Sequence, residues 1–314
     1  MPELITAGET MAVMVPRDQG PLRYVSDYRL RIAGAESNLA ADLCKLGHSA
    51  GWISRLGEDE LGHYVLNSIR AEGVDTSMVH FSSEFPTGLM FKEIGASETR
   101  VYYYRKDSAA SRLSPKDLEE TYLSSARILH LTGITPALSS DCEQLVLAMA
   151  RFAADRGILL SFDPNIRRKL WQGKDFRPLL RRLLFSSQIA LLGLEEAGEL
   201  LDTEAPEEIA GILREQGVRW IAIKDGARGA WAADNTEMIF IPPVPCRPVD
   251  PVGAGDAFNA GFLAGVLEGK PLSLCGRMGA VAGAMATETS GDTEGAPTRS
   301  QLLQKLEGKK EIFR

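Results

Sequence analysis

Hydrophobic and polar positions follow two rhythms along this chain. Continuous apolar runs of strand length occur at "LITA" (4–7), "AGWIS" (50–54), "ILHLTG" (128–133), "ILLSFD" (158–163), "IALLG" (189–193) and "RWIAIK" (219–224). Runs this short and this apolar suit strands buried on both faces. Between them the apolar residues recur at helical spacing. Leu39, Leu43 and Leu46 form one such stripe, closed by Gly47, and residues 59–72 form another, ended by Gly73. Helical patterns over 141–156, 176–185 and 206–216 alternate with the later strands. That alternation predicts a mostly parallel sheet with helices on both faces, a doubly wound α/β fold. Residues 11–32 have no helical period and contain Pro16, Gly20 and Pro21, which predicts short exposed strands. In "TGLMFKEIGASETRVYYYR" (87–105) two β-prone runs flank a turn at 95–98, the pattern of a hairpin. A second small hairpin is predicted over 229–241, then a glycine turn and a long helical pair, 255–268 and 273–289. No linker divides the chain. The expectation is one α/β domain over 1–314, with a small β-sheet lid built from residues within 11–33 and 87–105.

The glycine turn is the most informative local feature. Residues 250–265 read "DPVGAGDAFNAGFLAG", and from Ala257 onward the pattern is that of a buried helix. Gly253 and Gly255 allow a sharp turn and a close backbone approach. A glycine turn that opens a helix aims unpaired N–H groups and a positive partial charge at one point, which suits an anion such as phosphate. Asp256 sits in the first turn, where it is either a cap or a functional acid. The stretch is neither a dinucleotide fingerprint, which needs a third glycine in register, nor a Walker loop, which needs G-x-x-x-x-G-K-[ST].

Composition narrows the partners. The formal charge of −7 disfavours a nucleic-acid or anionic-membrane surface, so an anionic substrate must be drawn by a local cluster of cations. Cys44, Cys142, Cys246 and Cys275 lack metal-ligand spacing and read as reduced packing residues; the four histidines form no ligand pair either. With no signal pattern and no long apolar span, a cytoplasmic protein with no membrane partner is expected.

Taken with "AGAESNLA" (33–40) and "KDGARGA" (224–230), the glycine turn resembles the ribokinase-like sugar kinases of the PfkB family, over nearly the whole chain. The resemblance implies an α/β core with a β lid and ATP-dependent phosphorylation of a sugar hydroxyl. It implies that Asp256 is the base, while the Gly253, Ala254 and Gly255 amides hold charge on the transferring phosphoryl group. A helix N-terminus should keep Asp256 ionised. Three stretches, "YYYRKDSAAS" (102–111), "FDPNIRRKLW" (162–171) and "GDTEGAP" (291–297), resemble the branch acting on 2-keto-3-deoxygluconate. A sugar acid needs a partner for its carboxylate, and the planar fork of arginine matches one. The resemblance therefore points to Gly34, Asn38, Tyr103, Arg105, Arg167 and Asp292 for the substrate. Taken alone, Arg105 and Arg167 read as surface ion-pair partners, Asn38 as a helix-start residue and Asp292 as a turn residue. Tyr102 and Tyr104, on the other strand face, are expected to pack the lid.

For ATP the resemblance points to Lys224, Gly226, Gly229, Asn165, Gly193 and Ala280. Many family members carry Asn-x-x-Glu near magnesium; here the stretch is "GLEE", with Gly193 in place of the Asn and Glu196 as the metal-linked acid. Mg²⁺ is expected with ATP, and a monovalent cation such as K⁺ near Asp250 occurs in some relatives. A homo-oligomer is expected. The rival readings are a kinase of a neutral sugar such as fructose and a non-catalytic sugar sensor.

Overall fold

The computed structural model describes residues 1–95 and 99–308. A nine-stranded sheet has the order β13-β12-β11-β10-β9-β8-β1-β4-β5. Its strands are β1 (Leu4–Ala7), β4 (Ala50–Gly57), β5 (Val79–Ser82), β8 (Ile128–Thr132), β9 (Leu159–Asp163), β10 (Ile189–Gly193), β11 (Trp220–Lys224), β12 (Ala230–Ala233) and β13 (Met238–Ile241). The strands from β5 to β11 run parallel, and the hairpin β12–β13 adds antiparallel strands at one edge. The apolar runs became central strands because each is covered on both sides: every residue of β8 is buried, as are all four of β1.

Two hydrophobic clusters occupy the two faces. One gathers Leu39, Leu43, Trp52 and Phe262 between the sheet and three helices, α1 (Ala35–Lys45), α9 (Ala254–Leu267) and α10 (Leu272–Ala286). The other covers the opposite face with α4 (Ser140–Arg156), α6 (Arg177–Ser186), α7 (Leu194–Leu201) and α8 (Pro206–Glu215). The remaining helices are α2 (Glu60–Ala71), α3 (Glu120–Leu123), α5 (Arg168–Trp171) and α11 (Arg299–Leu306). β1 and β8 are neighbours although the chain winds outward from them in opposite directions, and at such a switch point the strand ends leave a crevice.

A separate four-stranded sheet, ordered β3-β2-β6-β7, consists of β2 (Met11–Pro16), β3 (Tyr28–Ala33), β6 (Leu89–Ile94) and β7 (Thr99–Tyr104). β6 and β7 pair antiparallel, as a hairpin requires, although residues 96–98 of the predicted turn lie outside the described residues. The expectation of exposed strands over 11–32 does not hold for β2. Met11 and Val13 are buried with Ala33 and Met90 in a small cluster of their own, and Ala12 joins the main core from the other face. No helix among the described residues is long and apolar enough to cross a membrane. All four cysteines are free.

α9 and α10 approach closely because glycines line their contact. A Cβ on Gly261 would lie 2.5 Å from the Met278 carbonyl oxygen. Gly261→Leu is therefore expected to cost about 3 kcal/mol or more by overpacking, read as a shift of the urea midpoint. An unchanged midpoint would contradict this packing.

Candidate functional site

The turn before α9 is built by backbone constraints. Gly253, its N-cap residue, has φ of +79°, in the left-handed region that favours glycine. A Cβ there would also overlap the Asp292 carbonyl oxygen. The turn thus rests directly on the 291–296 loop, and its Ala254 N–H reaches the Pro251 carbonyl at 3.3 Å.

Two cavities meet at this turn. One, of about 540 Å³, is lined by Gly253 and Asp256 together with Gly34, Asn38, Tyr103, Arg105, Arg167 and Asp292. All the positions predicted for substrate therefore face one space. The lid supplies part of its wall through Met90, Lys92, Val101 and Tyr103, which share one face of β6 and β7 because Met90 pairs with Tyr103 and Lys92 with Val101. Tyr102 and Tyr104 point to the other face, where Tyr104 meets Phe91 edge-on at 5.8 Å. The second cavity, of about 600 Å³, is lined by Ala254, Gly255, Lys224, Gly226, Gly229 and Ala280, with Pro243, Val244 and Phe258 giving it an apolar wall. Asn165, Gly193 and Glu196 line neither cavity.

Each cavity has a charged floor, and here distance in sequence hid several residues. Arg105 does not stand free. It pairs with Glu9, which follows β1, through an Nε–Oε2 bond of 2.6 Å and a second contact from Nη2, and Glu9 also accepts the Ser108 hydroxyl. Arg167 has no ion pair among the described contacts and donates only to the Ile166 carbonyl. Lys92 on β6 lies 3.2 Å from Asp292 Oδ1, with both side chains nearly buried. Burial raises the Asp292 carboxyl while the Lys92 ammonium pulls it back down.

On the other side, Lys224 at the end of β11 donates to Asp163 Oδ2 at 2.8 Å and to Asn259 Oδ1 at 3.1 Å, and Asn259 Nδ2 also reaches Asp163 at 2.6 Å. Burial opposes the charge on Asp163, but the Lys224 ammonium and these bonds outweigh it and hold the carboxyl below its usual range. Asn165, with φ of +37°, donates its N–H to Asp163 Oδ1 at 3.0 Å.

Glu196 accepts the N–H groups of Gly193 and Ile166, both at 2.8 Å. Through the Gly193 N–H it caps the start of α7. Among the described residues no group of three or more His, Cys, Asp or Glu side chains could hold a metal ion.

Asp256 departs from expectation. Its Oδ2 accepts Asn38 Nδ2 at 2.9 Å, yet its carboxyl is pushed up to about 7. Burial is the main cause; Asn38 and Lys224 lower the value while Asp163 and Asp292 raise it. The helix N-terminus was expected to keep the group ionised, but loss of hydration at this half-buried carboxylate on the cavity wall outweighs that partial charge.

Removing the lid cation leaves Asp292 buried without its charge partner. Lys92→Met is expected to cost about 3–5 kcal/mol at pH 8, and less at pH 5, because acid favours the neutral form of a carboxyl that burial already raises. Urea unfolding at both pH values measures this, and a variant as stable as the parent at pH 8 would contradict it.

Comparison with known proteins agrees with this geometry. A profile of the pfkB family carbohydrate kinases matches residues 1–299. The chain is 36% identical to a 2-dehydro-3-deoxygluconokinase of Bacillus subtilis, over 99% of this chain and 97% of that one. It is 33% identical to a 2-dehydro-3-deoxygluconokinase of Thermoproteus tenax, over 98% of this chain and 94% of the other. Among solved structures, a 2-dehydro-3-deoxygluconokinase of Thermotoga maritima superposes with a TM-score of 0.89 at 25% identity, covering 97% of this chain and 98% of that one. The chain belongs to the PfkB family of carbohydrate kinases.

Proposed function

We propose that this kinase transfers the γ-phosphoryl group of ATP to the terminal hydroxyl of 2-keto-3-deoxygluconate, the sugar acid also called 2-dehydro-3-deoxygluconate. The observation that carries the reading is the position of Gly253–Asp256 on the wall between two cavities of different character. The space beside Asp256 holds arginine and lysine side chains that suit a small carboxylate-bearing substrate. The other has an apolar wall for a nucleobase and Lys224 near the turn. The names of the curated relatives favour the same substrate.

In the reaction, the terminal sugar oxygen forms a bond to the γ-phosphorus as the bond to the ADP oxygen breaks. Asp256 takes the hydroxyl proton. A carboxyl whose pKa is about 7 is a better acceptor than an ordinary aspartate, provided it is ionised when the substrate binds. The N–H groups at Gly253, Ala254 and Gly255 stabilise charge on the phosphoryl oxygens, since phosphoryl transfer depends mainly on alignment and electrostatics. Bound with the nucleotide, Mg²⁺ would offset charge on its phosphates. Arg167, whose fork has no acidic partner, is the foremost ligand for the sugar-acid carboxylate. Arg105 is held rigid by Glu9 and contributes its remaining N–H groups.

Asp256→Asn is expected to lower kcat by about 10²-fold or more with little change in the KM for ATP; near-normal turnover would remove Asp256 from the mechanism. In the parent enzyme kcat/KM for the sugar should rise with pH through about 7, because the depleted form below that value is the ionised base. Assay of ADP release with a panel of sugar acids and hexoses tests the substrate. Arg167→Ala should raise the sugar-acid KM about tenfold while leaving the ATP KM nearly unchanged. A preference for fructose over the sugar acids would overturn the assignment.

A further inference from the structure

Two side chains on one face of α1 hold buried acceptors with no hydrogen-bond partner: Asn38 through Oδ1, and Asp42 through both carboxylate oxygens. Each residue is 2% exposed. Four positions apart, they stand one helical turn from each other, where side chains meet. The other end of the Asn38 amide, Nδ2, is the group that donates to Asp256. Buried polar groups in native proteins are nearly always paired, and an unpaired carboxylate is the costliest exception.

Among the described residues no ion pair reaches Asp42. Lys45 acts on it only through space, its ammonium bonding the Thr293 carbonyl at 2.6 Å and Glu72, at the end of α2, at 3.3 Å. Burial drives the Asp42 carboxyl well above its usual range; Lys45 opposes this, while Asp256, Glu72 and Asp292 reinforce it. A proton on Asp42 would set a donor one helical turn from the unpaired Asn38 acceptor.

We propose that Asp42 is a positioning residue: it remains a neutral carboxylic acid and donates its hydrogen to Asn38 Oδ1, which fixes the Asn38 amide with its NH₂ group toward Asp256. The inference rests on the reading of Asp256 as the proton acceptor. An amide can turn over about its terminal bond at little intrinsic cost, and the reversed form would set Oδ1 against the Asp256 carboxylate. The groups facing Asp256 are Asn38 from α1, Asp163 from β9, Lys224 from β11 and Asp292 from the 291–296 loop. Two of these are acids that disfavour the ionised base. The correctly turned Asn38 amide is the hydrogen-bond donor that favours it.

The test is the pH dependence of kcat/KM for the sugar in the parent, Asp42→Leu and Asp42→Asn. Losing the donor in Asp42→Leu should move the acidic limb up by about one pH unit, a roughly fivefold loss at pH 7 that is recovered at higher pH. The ATP KM should not move. Asp42→Asn keeps a donor to Asn38 and should retain the parent limb. A limb unmoved in the Leu variant, or moved alike in both, overturns the proposal. Should Asp42→Leu not fold, the infrared difference between the parent and Asp42→Asn at pH 8 decides. The carbonyl stretch of a protonated carboxylic acid is expected, and an ionised carboxylate band overturns the idea. Failure of the Asp256 reading is distinguishable, because Asp256→Asn would then turn over like the parent whatever Asp42 does.

Discussion

The left-handed turn at Gly253 is the constraint on which the site depends. It requires a residue without a side chain for two independent reasons, a positive φ and the Asp292 carbonyl packed where a Cβ would be. The turn fixes where α9 begins, with Gly253 as its N-cap residue and Asp256 in its first turn on the wall of the first cavity. The two cavities take their relation from this turn, one lined by Gly253 and Asp256, the other by Ala254 and Gly255. The loop behind the turn is tied in turn to the lid, since Asp292 pairs with Lys92 of β6 and Glu294 with Arg31 of β3. Lid, loop and turn therefore form one continuous set of contacts.

Burial decides the electrostatics of the site more than any pairwise contact. Asp163 is held ionised by Lys224 and Asn259, whereas Asp256, with an amide as its direct partner, is not. The contrast separates the two aspartates: Asp163 is tied to Lys224 at the end of β11, and Asp256 has its carboxyl raised to about 7. Placing several acids together lowers stability, and the lid lysine compensates part of that cost.

The sheet was legible in the sequence because buried parallel strands are nearly continuous apolar runs, and β1, β8 and β10 show little else. β5 escaped because it is a short edge strand, "VHFS", with no buried residue. α7 and α11 escaped because eight residues give a helical period little room, and both are rich in polar side chains. The exposure of β2 was misjudged because its second face meets the core of the main domain, a fact of topology rather than of local pattern. At the site, the motif located Gly253–Asp256, and the resemblance located the positions around it. Glu9 and Lys92 carried no local signal, and Asp163 and Asn259 were not singled out within the stretches that hold them, since their roles are made by partners such as Arg105 and Lys224 that lie far along the chain. The raised carboxyl of Asp256 could not be read at all: a helix start is visible in sequence, but the loss of solvent around its first turn is not.

The most direct test of the account is a crystal structure with the sugar acid and a non-hydrolysable ATP analogue bound together. The account predicts the terminal hydroxyl oxygen within hydrogen-bond distance of the Asp256 carboxylate, with the γ-phosphate over the N–H groups of residues 253–255. A sugar bound with that hydroxyl remote from Asp256, or a γ-phosphate held away from the turn, would contradict it.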